Sequence, residues 1–187
     1  MKIRVLLSIF SLLCLLGCQP DKPTNHRNSS TPNVNQSQTN SKKAQKHWQN
    51  PKVAKNFLDQ NGIHTNQYKN RLGHEYVSFS SYKDIGSGSL LPNNIAYYVK
   101  GDRDVVKTLK LVLNVNQPND AQTAHSVMLK HSQTLYKEVF AQQLPPNLKE
   151  AITIGKQDQL EVEGSVVTLN REDWVTGRGY SLELVIQ

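Results

Sequence analysis

Ile95-Ala96-Tyr97-Tyr98-Val99-Lys100-Gly101-Asp102-Arg103-Asp104-Val105-Val106-Lys107-Thr108-Leu109-Lys110-Leu111-Val112-Leu113-Asn114-Val115 is the stretch that decides the fold. Two runs rich in β-branched, aromatic and leucine residues flank Gly101-Asp102-Arg103, whose residue types suit a hairpin turn. The pattern predicts a strand over Ile95 to Lys100 paired with a strand over Val105 to Val115. In the second arm Val105, Leu109, Leu111, Leu113 and Val115 fall on one face by alternation. Lys110 and Asn114 point the other way, so one side of the sheet should face water. Of the neighbours Tyr97 and Tyr98, one must turn away from the core.

Working outward, Asn50-Pro51 predicts a short helix, with Asn as its cap and Pro at its first position. Val53, Ala54, Phe57 and Leu58 form its apolar stripe, and Gly62 followed by Ile63 suits a Schellman ending. Glu75 to Tyr82 reads as a strand with Val77 and Phe79 on one face and Tyr76 and Tyr82 on the other. Lys83 to Asn94 reads as a loop. Beyond the hairpin, Pro118-Asn119-Asp120 opens the longest helix, to about Gln143. Its stripe is Ala121, Ala124, Met128, Leu135 and Val139, flanked by Val127 and Tyr136. Pro145-Pro146 ends it and starts a short helix through Ile152. Gln159 to Trp174, bent near Gly164, and Gly179 to Ile186 read as two closing strands joined through Thr176-Gly177-Arg178. The expectation is an α+β fold: an antiparallel sheet of about five strands, with a long helix and one or two short helices packed on one face.

The N-terminus is organised differently. Lys2 and Arg4 precede twelve uncharged residues, Val5 to Leu16. That is signal-peptide length, short of the ~20 apolar residues a spanning helix needs. Leu15-Leu16-Gly17-Cys18 follows and resembles the lipobox of bacterial lipoprotein precursors. Leu16 departs mildly from it, because a small or β-branched residue is commoner there. The resemblance covers about twenty residues. It implies diacylglyceryl transfer to the Cys18 thiol, cleavage before Cys18 and acylation of the new amine. In Gram-negative lipoproteins of this type, Gln19 in place of Asp implies outer-membrane sorting. Two or three acyl chains, palmitate among them, make anchoring stable where one is marginal. The implied organisation is a signal peptide at 1–17, a lipidated cysteine and disordered polar tether at 18–47, and one folded domain at 48–187.

The tether from Gln19 to His47 is dominated by Asn, Gln, Ser and Thr and cannot bury enough surface to offset its ordering entropy. As a coil it spans about 30 Å, with a ceiling near 100 Å when extended. Most of the formal charge of +7 belongs to it. Lys22, Arg27, Lys42, Lys43 and Lys46 stand against Asp21, whereas from Trp48 onward 15 basic residues meet 14 acidic ones. A near-neutral folded part argues against nucleic acid. Both cysteines, Cys14 and Cys18, lie in the N-terminal segment. The mature domain thus has no thiol nucleophile, CxxC motif or Cys-ligated metal.

Candidate catalytic sites are weak. His74-Glu75 starts like a zincin motif, but position 78 is Ser and the pair opens a strand. His125 and His131 are about 240° apart on their helix at ~100° per residue and cannot share a metal. His131 lies near the apolar stripe, as a hydrogen-bonded core histidine or a buried proton acceptor. Gly86-Ser87-Gly88-Ser89 lacks the context of a phosphate loop. Glu161 and Glu163 share a strand face without further support. No catalytic residue, metal or cofactor is expected. The remaining signal is Tyr76, Tyr82, Tyr97, Tyr98 and Trp174, candidates for a partner-binding patch if the outward rings cluster, or else for cross-strand pairing alone.

Together these readings give a membrane-anchored envelope lipoprotein, not an enzyme, held to the outer membrane through Cys18 with its domain in the periplasm or at the cell surface. Its expected partner is another envelope protein, in the manner of an assembly accessory, a pilotin-like factor, or an inhibitor or immunity factor. The alternative is a small-ligand or glycan-binding module with a cleft between sheet and helix. A hydrolase using His74, His131 or Glu161 is the weakest reading.

Overall fold

The chain was analysed as a computed structural model that describes residues 45–71, 73–86 and 90–187. Cys18, the segment 1–17 and the tether up to residue 44 lie outside the described residues. Along the chain come α1 (Pro51–Ala54), β1 (Lys69–Asn70), β2 (Tyr76–Phe79), β3 (Lys83–Ile85), β4 (Asn93–Gly101) and β5 (Val106–Val115). Then follow α2 (Ala121–Phe140), α3 (Pro146–Ile154), β6 (Asp158–Val162), β7 (Ser165–Asp173) and β8 (Tyr180–Ile186). Short 3-10 turns cover His47–Gln49, Asp59–Asn61 and Pro118–Asp120.

The fold is α+β, with one antiparallel sheet ordered β1-β2-β4-β5-β8-β7-β6 and β3 pairing with β4 off that path. It has eight strands, which corrects the expected five. β1 and β3 are two and three residues long, too short to show an alternating pattern. The predicted strand over 159–174 is a hairpin. Glu163 (φ 51) and Gly164 (φ 68) are both left-handed, which suits a two-residue primed turn between β6 and β7. A Glu-Gly pair is an uncommon signal for that turn, because a glutamate resists positive φ.

Register explains the core. Ile95, Tyr97 and Val99 stand opposite Leu113, Leu111 and Leu109. Those three meet Leu182, Leu184 and Ile186 across the next pair of strands. Leu184 and Ile186 in turn meet Leu169 and Val167. All eleven side chains are fully buried on one face, under Met128 and Leu135 of α2. Truncating one of these leucines to Ala costs about 2–5 kcal/mol. A register shift at Lys100/Gly101 sets Lys107 as an extra residue, so Val106, not Val105, enters the core. A Cβ on Gly101 would run into the Val105 carbonyl oxygen, so the bulge needs glycine.

The helix boundaries follow their capping residues. The Asn50 side chain accepts from Lys52 N at 3.0 Å with Pro51 at the first position, as expected. Gly62 (φ 72) ends that region, and Ile63 N donates to Leu58 O in the Schellman manner. α2 stops at Phe140, before the expected Gln143, because Ala141 turns left-handed at φ 53. At the other end of the domain Lys46, counted in the tether, donates through Nζ to Glu163 O (2.6 Å) and Ser165 Oγ (2.8 Å). Lys46 thus takes part in the contacts of the fold.

Candidate functional site

The helices occupy one side of the sheet, and the other carries the outward half of each strand. On this open face Phe79, Tyr98 and Lys110 stand directly opposite one another across β2, β4 and β5. The Tyr98 and Tyr82 hydroxyls are 2.9 Å apart. Burial first, then the bond to Tyr82, pushes the Tyr98 phenol well above its ordinary range. Phe79 lies 6.1 Å from the Tyr98 ring centroid and carries the Arg71 guanidinium 4.7 Å over its own ring. Lys110 bonds Glu183 at 2.9 Å and sits 5.6 Å from the Tyr98 ring. Ala96 and Val112 are buried between these larger groups. The row is a half-covered aromatic surface whose rings are held in place by polar partners.

The five aromatic candidates fall in four places. Tyr82 and Tyr98 come together on the open face. Tyr97 is fully buried on the helix side, donating its hydroxyl to Ala54 O at 2.9 Å, so it is withdrawn from any surface. Tyr76 lies near the end of the sheet beside Tyr68, ring centroids 5.8 Å apart, and its hydroxyl accepts from Arg103 Nε at 3.1 Å. Trp174 begins the β7–β8 turn, its ring lying where a Cβ on Gly179 would stand. Alternation separates Tyr97 from Tyr98. It carries no information on the β3 segment, where Lys83 pairs with Ile95 just after Tyr82.

A groove of about 580 Å3 opens beside the β4–β5 turn, between α1 and residues 65–68. Its lining includes Asn50, Lys52, Lys55, Asn66, Tyr68 and Arg103. Tyr68 donates to Asp102 O at 2.8 Å, and burial and the nearby carboxylates push its phenol up to about 12. Gln45 Nε2 reaches Asp104 O at 3.3 Å across one rim. Nothing in the sequence pattern marked this groove, because its parts come from three separated segments.

A buried polar cluster ties α2 and α3 to the last strands. His125 Nδ1 is 3.0 Å from Thr153 O and its Nε2 is 2.8 Å from the Tyr180 hydroxyl. The Thr153 carbonyl can only accept, so Nδ1 carries the proton and Tyr180 donates to Nε2. Arg171 lies 3.7 Å over the Tyr180 ring, donates to Gly155 O and pairs with Asp173 at 2.7 Å. Burial pulls the His125 imidazole below its ordinary value. Every polar group here has a partner within the cluster, which suits a structural tie.

The three residues considered for hydrolysis do not converge. His74 precedes β2 near one edge of the sheet, and Glu161 lies on β6 at the opposite edge. His131 is buried on α2 with Nδ1 unpartnered among the described residues. Burial and the charges of Lys83 and Lys130 hold it down to about 4. That is not the hydrogen-bonded core histidine the apolar stripe suggested. Among the described residues no group of three or more His, Cys, Asp or Glu could hold a metal. No helix among them is long and apolar enough to cross a membrane. No protein-family model, curated protein or solved structure matches the chain.

Proposed function

We propose that this chain is a lipid-anchored lipoprotein of the bacterial envelope whose domain binds another protein without catalysing a reaction. The lipobox resemblance at Leu15 to Cys18 and the polar tether support the anchoring. The observation that carries the binding role is the Tyr82–Tyr98 hydroxyl pair beside Phe79 on the side of the sheet that has no helix. Rings fixed by hydrogen bonds and cation–π contacts lose little entropy when a partner covers them, and tyrosine is favoured at such contacts. The ion pair Lys110–Glu183 beside them gives the patch a polar margin. The partner is an envelope protein with a complementary surface of mixed apolar and polar groups.

Photo-crosslinking in cells tests this. A crosslinking side chain at position 98 of the full-length chain should capture one envelope protein that the same group at Glu150, exposed on α3, does not. Equal capture at both positions, or capture at neither, would overturn the reading.

A second reading, a small-ligand module, had its cleft between α2 and the sheet. That interface is filled by Met128, Leu135 and Tyr136 against the buried leucines of β5 and β8. Its one supporting observation is the groove beside the β4–β5 turn.

A further inference from the structure

Charges in the groove and in its neighbour are treated differently. A smaller hollow of about 370 Å3 near the same end of the sheet is lined by His74, Glu75, Lys100, Asp102 and Lys107. There Lys107 pairs with Asp102 at 2.8 Å and Lys100 with Glu75 at 3.9 Å, so both lysines have carboxylate partners. In the larger groove Lys52, Lys55 and Arg103 have no carboxylate within 4.0 Å among the described residues. Asp104 is the single acid in the lining, beside three cations. Three cations without a carboxylate partner thus share one concave place with a single acid, although the folded part as a whole is near neutral.

The uncharged groups add donors to the same place. The Asn50 side-chain oxygen already accepts from Lys52 N at 3.0 Å, and that of Asn66 from Phe79 N at 3.2 Å. These backbone bonds fix each amide with its oxygen turned inward to the chain. Each NH2 group is left without a partner among the described residues, ready to donate. Arg103 is held by its Nε on the Tyr76 hydroxyl, which leaves its two terminal nitrogens as a fork without an acceptor among the described residues. Tyr76 is backed by Tyr68, whose hydroxyl is fixed on Asp102 O, so the fork stands on a braced aromatic pair. Lys52 and Lys55 are three residues apart across the first helical turn, a spacing that brings side chains to one side.

We infer that this groove is a binding site for a small ligand carrying two or more oxyanion charges, held by the Arg103 fork with Lys52 and Lys55. The ligand supplies acceptors to a site that supplies donors, and it neutralises the excess positive charge. A neutral sugar would leave the three cations unmatched. Three cations less the Asp104 carboxylate leave a net charge of +2, of which a singly charged ligand would neutralise only half. This site is separate from the open sheet face and stands whether or not a protein docks there.

Isothermal titration of the full-length chain in neutral detergent, against citrate in one arm and pyrophosphate in the other, tests the assignment. At least one anion should bind with one-to-one stoichiometry and weaken as salt is raised. The arm that binds more tightly tells carboxylate from phosphate chemistry. Arg103→Gln should weaken it at least tenfold, and the Lys52→Gln/Lys55→Gln double variant by a similar factor. Lys107→Gln, which removes a paired cation nearby, should leave it unchanged. All four positions are exposed or half-exposed, so melting temperatures should match the parent and each variant remains interpretable. Failure of both anions to bind would overturn the proposal. So would a loss in Lys107→Gln equal to that in Arg103→Gln, which would show general attraction to net charge.

Discussion

The His125 imidazole and the Tyr180 hydroxyl meet at 2.8 Å, joining the first half of α2 to the start of β8 from 55 residues away. Because His125 gives its other nitrogen's proton to Thr153 O, Nε2 depends on Tyr180 for its donor. Tyr180→Phe leaves that buried nitrogen unsatisfied and should cost about 1–3 kcal/mol. The double variant with His125→Phe should cost less than the sum of the single changes, since removing both partners orphans neither Nε2 nor the hydroxyl and leaves only Thr153 O without its donor. Urea denaturation of the four-member cycle measures the coupling.

Stability should fall as the solution is acidified from pH 6.5 towards 4. His131 is held down to about 4 by burial and then by Lys83 and Lys130, and burial also lowers His125. The unfolded chain takes up these protons near pH 6.5 and the folded chain only at lower pH, so their contribution is complete above 6.5 and is lost on the way down. For His131 alone the difference amounts to about 3 kcal/mol. Denaturation midpoints between pH 7.5 and 4 should show this slope. His131→Leu, which cannot be protonated, should flatten it.

Ala141 closes α2 in the left-handed region at φ 53, where a Cβ is strained. Ala141→Gly should therefore stabilise the protein, by about 1 kcal/mol. A rise in the thermal midpoint checks it, and an unchanged or lower midpoint would mean the turn relaxes without strain.

Anchoring through Cys18 predicts a change in cell fractionation. Cys18→Ser should leave an unacylated, uncleaved precursor that no longer partitions into detergent as the parent does. Mass measurement of the mature N-terminus in the parent should find a new terminus at residue 18 bearing acyl chains.

Much of the sheet was legible because its central strands obey alternation away from the bulge at Gly101. Leu109, Leu111 and Leu113, and again Leu182, Leu184 and Ile186, occupy the buried positions their spacing implied. The caps at Asn50 and Gly62 were legible for a local reason, since each acts on backbone groups a few residues away. What escaped was set by distant partners. β1 and β3 are strands only because β2 and β4 lie beside them. The switch from Val105 to Val106 follows from a bulge whose cause is steric, at Gly101. The aromatic set was visible as residues but not as places, because Tyr76 and Tyr82 read as one face of one strand, yet that strand ends at Phe79. The cationic groove was invisible in a near-neutral count, since Lys52 and Lys55 meet Arg103 only through the fold.

The strand order has a consequence for how the molecule is made. β1 to β5 and β6 to β7 are each contiguous in the chain, yet they meet only through β8, which lies between β5 and β7 and comes after both. Without residues 180–186 the sheet would be two separate groups of strands, each with an apolar edge bare on the seam side. Leu109, Leu111 and Leu113 of β5 would then have no neighbour on that flank. A single late segment of seven residues is thus the splice that makes one sheet out of two.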